Sequence, residues 1–74
     1  MERTPFAVFL IHKRKEAGLS QRGLADALGV TQTKVHGWER GSRSPHARYL
    51  LHLFSTLKLG LNDQQMAIIL LAQS

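Results

Sequence analysis

The run TQTKVHGWERG, Thr31 to Gly41, has only two large apolar side chains, Val35 and Trp38, three residues apart. Residues three and four apart share a face of a helix, so this segment can be held as a helix only through that pair. Its other side is then polar and free. Immediately upstream, Ala25 is small where a preceding helix must pass close beneath, and Gly29 follows it by four residues. Glycine accepts the positive φ that turns a chain sharply after a helix. Val35 and Trp38 come six and nine residues after that glycine. This is the spacing of a helix-turn-helix over about residues 21–40, with Gly29-Val30-Thr31 as the link.

The rest of the chain predicts an all-α fold of five helices, at about 5–17, 21–28, 32–40, 45–58 and 63–72. Gly18, Gly29, Gly41 and Gly60 each follow a helical segment and are read as its end. Ser20, Thr31 and Asn62 are good N-cap types. The apolar pairs Leu19/Leu24, Val30/Val35 and Leu61/Met66 flank them at hydrophobic-staple spacing, and Gln65 stands where a capping box would use it with Asn62. Gly23 denies Ser20 such a partner. Ser44-Pro45 reads as a helix start, with proline at the first helical position. Phe6, Leu10 and Ala17, with Phe9 beside them, and Leu50, Leu53, Phe54 and Leu57 mark the inward stripes of the first and fourth helices.

At 74 residues, without repeats or linkers, the chain is read as one domain over 1–74. A domain of this size buries only roughly 60% of its unfolded surface. No cysteine is present to staple it. The segment MERTPFAVFLIHKRKEAG has too short an apolar core, followed by basic residues, for a secretory signal, and no apolar run is long enough to span a membrane. A cytoplasmic location is expected.

Charge narrows the choice of partner. Ten Lys and Arg stand against five Asp and Glu, a formal net charge of +5, which favours a polyanion. His12, His36, His46 and His52 show no metal-ligand spacing and have no cysteine partner, and no acid is placed to form a triad with them. No metal, no cofactor and no enzymatic activity are expected.

With Val35 and Trp38 turned inward, Gln32, Thr33, His36 and Gly37 are read as the outer, base-reading face of the third helix in double-stranded DNA. A glutamine amide can bond adenine N6 and N7 together, and threonine offers a hydroxyl or a methyl. Gly37 costs about 1 kcal/mol inside a helix, which close approach of backbone to DNA would explain. Gln21 and Arg22, at the positive end of the second helix, suit a phosphate. Lys34, Arg40, Arg43 and Arg48 are further phosphate candidates.

The segment from Leu10 to about Leu59 resembles the phage lambda repressor/Cro-like helix-turn-helix family. The matching marks are Arg14, "GLSQ" at 18–21, Leu24-Ala25, Leu28-Gly29-Val30, Val35 and "WERG" at 38–41. The resemblance implies a five-helix DNA-binding domain that regulates transcription, commonly a dimeric repressor on a palindromic operator. It assigns Gln21 to a phosphate, Gln32, Thr33 and Gly37 to base-reading positions, and Ser42 to Ser44 to the DNA backbone. It also implies a structural ion pair between Arg14 and Glu39. The chain departs from the family at Gly23, where glutamate is common, at Trp38, where a smaller residue is usual, and at Gly37, which has no side chain to read a base.

The last helix, 63–72, contains MAIILLA and is apolar all round. A helix on a small domain buries one stripe. Met66, Ile69 and Leu70 are read as inward-facing, which leaves Ile68 and Leu71 as a homodimer contact. The rival reading is a protein-binding module, antitoxin-like or co-regulatory, in which this helix takes a toxin or a polymerase as partner.

Overall fold

A computed structural model describes residues 3–73. Its helices are α1 (Pro5–Glu16), α2 (Gln21–Leu28), α3 (Gln32–Arg40), α4 (Ala47–Thr56) and α5 (Leu61–Ala72). No strand occurs among the described residues. The chain has the expected all-α, five-helix class. Helix α3 packs against both α1 and α2, α4 lies on α2, and α5 lies on α1.

The core is a single cluster. Phe6 and Leu10 of α1, Leu24 and Leu28 of α2, Val35 and Trp38 of α3, Leu53 and Phe54 of α4, Leu57 just beyond it and Ala67 of α5 meet there. Val35 is wholly buried and Trp38 is 2% exposed, so the two anchors seat α3. The Trp38 ring is accommodated against Tyr49 of α4, 5.8 Å between centroids and tilted by 46°.

Local signals fix the second and third helices at both ends. Ser20 Oγ accepts from the Gly23 amide at 2.9 Å, and Thr31 Oγ1 accepts from the Lys34 amide at 3.2 Å. The cap on α2 therefore forms without a capping box. Leu24 and Val35, the inner halves of two staples, are 0% exposed. Gly29, at φ 71°, and Gly41, at φ 82°, close α2 and α3 in the left-handed conformation. At Gly41 a second constraint operates: an added Cβ would lie 2.9 Å from the Thr4 side chain and 3.0 Å from its backbone nitrogen.

Several expectations fail. Ala17 is the exposed cap residue after α1, and the stripe of Phe6 and Leu10 continues instead into buried Arg14. Pro45 does not open α4. It is buried in the loop, and α4 begins after His46, which makes no side-chain cap bond. Gly60 does not end α4 in the left-handed region, because Lys58 takes that conformation (φ 54°) and Gly60 is the N-cap of α5. Asn62 is consequently inside α5, which starts at Leu61, and the Leu61/Met66 staple is open, with 70% and 47% exposure. Gln64, rather than Gln65, ties the loop, donating from Nε2 to the Leu59 carbonyl at 2.9 Å.

Helix α5 also has a different phase from that expected. Ala67 is its buried residue, with Leu70 and Leu71 packed partly against the core. Met66 and Ile69, read as inward, are exposed, as is Ile68. Ala67, 1% exposed, is the side of α5 turned fully into the core, on a helix that packs on α1. Leu71 is thus drawn into the body instead of sharing an outer face with Ile68.

Candidate nucleic-acid interface

Burial divides α3 cleanly. Val35, Trp38 and Glu39 face inward at 3% exposure or less, while Gln32, Thr33, His36 and Arg40 are exposed. Gln21, at the start of α2, joins Gln32, Thr33 and His36 around one shallow depression. The helix-turn-helix therefore brings one polar residue of α2 beside three of α3, all within reach of a single ligand.

Beneath this depression lies a buried ionic network. Arg14 donates from Nε to Glu39 Oε2 at 2.6 Å and from Nη2 to Oε1 at 3.0 Å, and its Nη1 donates to the Leu19 carbonyl at 2.8 Å. Gln21 Nε2 donates to the same Glu39 Oε1 at 3.0 Å. Arg3 Nε reaches the Glu39 backbone carbonyl at 3.0 Å. Paired, bidentate geometry is what lets such charges leave water. The network fastens the last turn of α3 to α1 and to the first turn of α2. It also fixes the orientation of the Gln21 amide, leaving that group's second N–H for an external acceptor.

Among the described residues, Glu39 is engaged by Arg14, and Glu16 and Asp63 by Lys13 at 3.3 and 3.1 Å. Lys13 is held above the usual lysine range chiefly by its hydrogen bond to Asp63, then by Glu16. The positive charge left over is outward. Arg22, Arg40 and Arg43 are exposed, and Arg43 lies against Gly37 of α3.

Lys34 and Arg48 are placed differently from these three. Both approach the Tyr49 ring, with Lys34 Nζ at 4.8 Å and the Arg48 guanidinium carbon at 4.9 Å from its centroid. Arg48 Nη2 donates to the Tyr49 hydroxyl at 3.3 Å. That bond and the charges of Arg48 and Lys34 hold the phenol below its usual pKa. Tyr49 was missed by sequence reasoning. The Arg48-Tyr49 neighbours in the sequence were visible, but Lys34 joins them only through the packing of α4 beside α3.

Gly37 is not an open position on the outer face. It is buried, and a Cβ there would stand 3.2 Å from Arg43 Cδ, 3.5 Å from Cγ and 3.6 Å from Cβ. The Gly37 carbonyl accepts from the Ser42 amide at 3.1 Å, the Arg43 amide at 3.2 Å and the Ser42 hydroxyl at 3.3 Å. The segment after α3 thus folds back over its last turn, and the stem of Arg43 covers the glycine.

Among the described residues, no group of three or more His, Cys, Asp or Glu is placed to hold a metal ion, and no helix is long and apolar enough to cross a membrane.

An anchored helix presenting a polar face across a tight glycine turn defines the helix-turn-helix class. Residues 5–65 match the helix-turn-helix domain family, and the chain belongs to it. It is also 35% identical over 49 residues to a protein of Bacillus subtilis (strain 168) named uncharacterized HTH-type transcriptional regulator YqaE. The alignment takes in 66% of this chain and 42% of that protein, so the chain spans well under half the length of this relative.

Proposed function

We propose that the protein is a sequence-specific, DNA-binding transcriptional regulator that enters the major groove with α3. The observation that carries this reading is the exposure of Gln32, Thr33 and His36 together on a helix whose inner residues Val35, Trp38 and Glu39 are at most 3% exposed. Such a helix offers its N-terminal side chains to base edges. Gln21 and the N-terminus of α2 take a backbone phosphate, with Arg22 and Arg40 on either side. Lys34 and Arg48, gathered at Tyr49, supply charge toward the same strand. The name of the Bacillus subtilis relative supports a role in transcription.

Within the helix-turn-helix family the motifs favour the lambda repressor/Cro-like branch. Action as a dimeric repressor on a palindromic operator follows from that resemblance, with control of its own gene as one use and a phage or other mobile element as the setting. The homodimer is assigned to the outer face of α5, where Leu61, Met66, Ile68 and Ile69 are 70%, 47%, 53% and 52% exposed. Exposed apolar surface of this kind marks an interface. Two copies would set their α3 helices about 34 Å apart, one turn of DNA.

Selection of bound sequences from a random duplex pool tests the reading. A palindrome is expected, bound with an affinity that falls roughly 10³–10⁵-fold between 50 and 200 mM salt, as 6–10 phosphate contacts require. Indifference to duplex DNA at low salt would overturn it. Native mass measurement of the protein alone tests the interface. A stable homodimer is expected, and a strict monomer that joins only a toxin or polymerase subunit would favour the protein-binding module instead.

A further inference from the structure

The glycine in the middle of α3 and the arginine lying over it make one unit. A glycine inside a helix is unfavourable by about 1 kcal/mol relative to alanine. What occupies its place is the Arg43 stem, with Cδ, Cγ and Cβ all within 3.6 Å of where a Cβ on Gly37 would be. Position 37 follows Thr33 by one turn and precedes Arg40 by nearly one, so it belongs to the outer row of α3. The loop holds Arg43 there by its own backbone, since the Arg43 amide and both Ser42 donors converge on the Gly37 carbonyl.

Arg43 also differs from the other arginines that the fold engages. Arg14 and Arg3 are spent on Glu39, and Arg48 on Tyr49. Among the described residues, no hydrogen bond or ion pair occupies the guanidinium of Arg43, and the residue is exposed. A planar guanidinium with its stem laid along the base-facing side of a groove helix matches the O6 and N7 acceptors of guanine, which it can bond bidentately.

We propose that Arg43 is a specificity-determining residue that reads a guanine in the major groove, supplying from the loop the side chain that Gly37 lacks. Gly37 is its positioning residue. This deepens the DNA-binding reading above and rests on it. It moves Arg43 from the phosphate contacts to the base contacts.

The test uses the whole chain and the duplex that the wild-type protein selects. Arg43→Met keeps the apolar stem but loses every donor of the planar fork. It is expected to lose the preference for guanine at one position of each half-site by about 5- to 150-fold, while duplexes without that guanine are weakened far less. Replacing that guanine by 7-deazaguanine, which lacks the N7 acceptor, should weaken the wild-type protein and leave Arg43→Met unaffected. Gly37→Ala, which crowds Cδ from 3.2 Å, should lose part of the same preference while its thermal melt shows a folded protein. An Arg43→Met protein that keeps the guanine preference, or a wild type indifferent to 7-deazaguanine, would make Arg43 a phosphate contact and overturn the proposal. Full guanine preference in Gly37→Ala would overturn the part given to Gly37. A wild type that selects no sequence at all would overturn the DNA reading, and this proposal with it.

Discussion

Arg14 and Glu39 form a two-pronged ion pair, at 2.6 and 3.0 Å, although they lie 25 residues apart and are only 9% and 3% exposed. The pair joins α1 to the end of α3, and Gln21 completes it from α2. Removing one partner strands the other charge away from water. Glu39→Ala is expected to cost about 3–5 kcal/mol. Urea denaturation measures this, and a loss under about 1 kcal/mol would mean that water reaches Arg14 freely. Replacing both residues by leucine should recover much of the loss, since an apolar pair leaves no charge stranded.

The outer residues of α3 should affect DNA and not the fold. Gln32→Ala is expected to relax the preference at one base pair by about 1–3 kcal/mol. Its unfolding free energy should stay within about 0.5 kcal/mol of wild type, as for an ordinary surface change. Arg40→Ala should weaken all duplexes alike and reduce the salt slope by about one. Competition binding over a range of salt separates the two patterns, and uniform weakening by Gln32→Ala would remove it from the base readers.

Lys58 holds a left-handed backbone, φ 54°, at the end of α4, where Leu59 N–H bonds back to the Phe54 carbonyl at 2.9 Å. A side chain in that conformation costs about 1 kcal/mol or more. Lys58→Gly is expected to stabilise the protein by about 0.5–1 kcal/mol, after the added chain entropy of glycine. At about 4–8 °C per kcal/mol for a domain of this size, the gain is visible in a thermal melt. A lower melting temperature would show that the lysine side chain makes a compensating contact.

Tyr49 is the one tyrosine in the sequence, so its phenol can be titrated directly by absorbance. Arg48 and Lys34 favour the phenolate, and the midpoint is expected below the usual 10.0. Arg48→Ala should return it upward. Because the folded pKa is the lower one, the pair adds stability only once pH rises into the range where the phenol ionises, and that part is lost as pH falls back through the folded midpoint. Bound DNA should raise the midpoint by drawing both cations toward phosphate.

The turn between α2 and α3 was legible because its signals are local: Ser20 and Thr31 cap the residues after them, and Gly29 follows α2 directly. The two anchors of α3 were equally readable from their spacing. Helix α5 was not, because a helix apolar on every side carries no phase, and only its packing turns Ala67 inward. Pro45 has the pattern of a helix start, yet burial of its ring in the loop overrides that local preference. The pairing of Gly37 with Arg43 depends on the path of Gly41 to Arg43 back over α3, which no periodicity encodes. Tyr49 joined the site for the same reason, through the packing of separate elements.

Fastening α3 from behind has an evolutionary corollary. Val35, Trp38 and Glu39 grip the core, and none of them lies among Gln32, Thr33 and His36. Mutations that redirect such a protein to a new target can therefore accumulate without eroding its stability, and a descendant could change its address on a genome while keeping the same body.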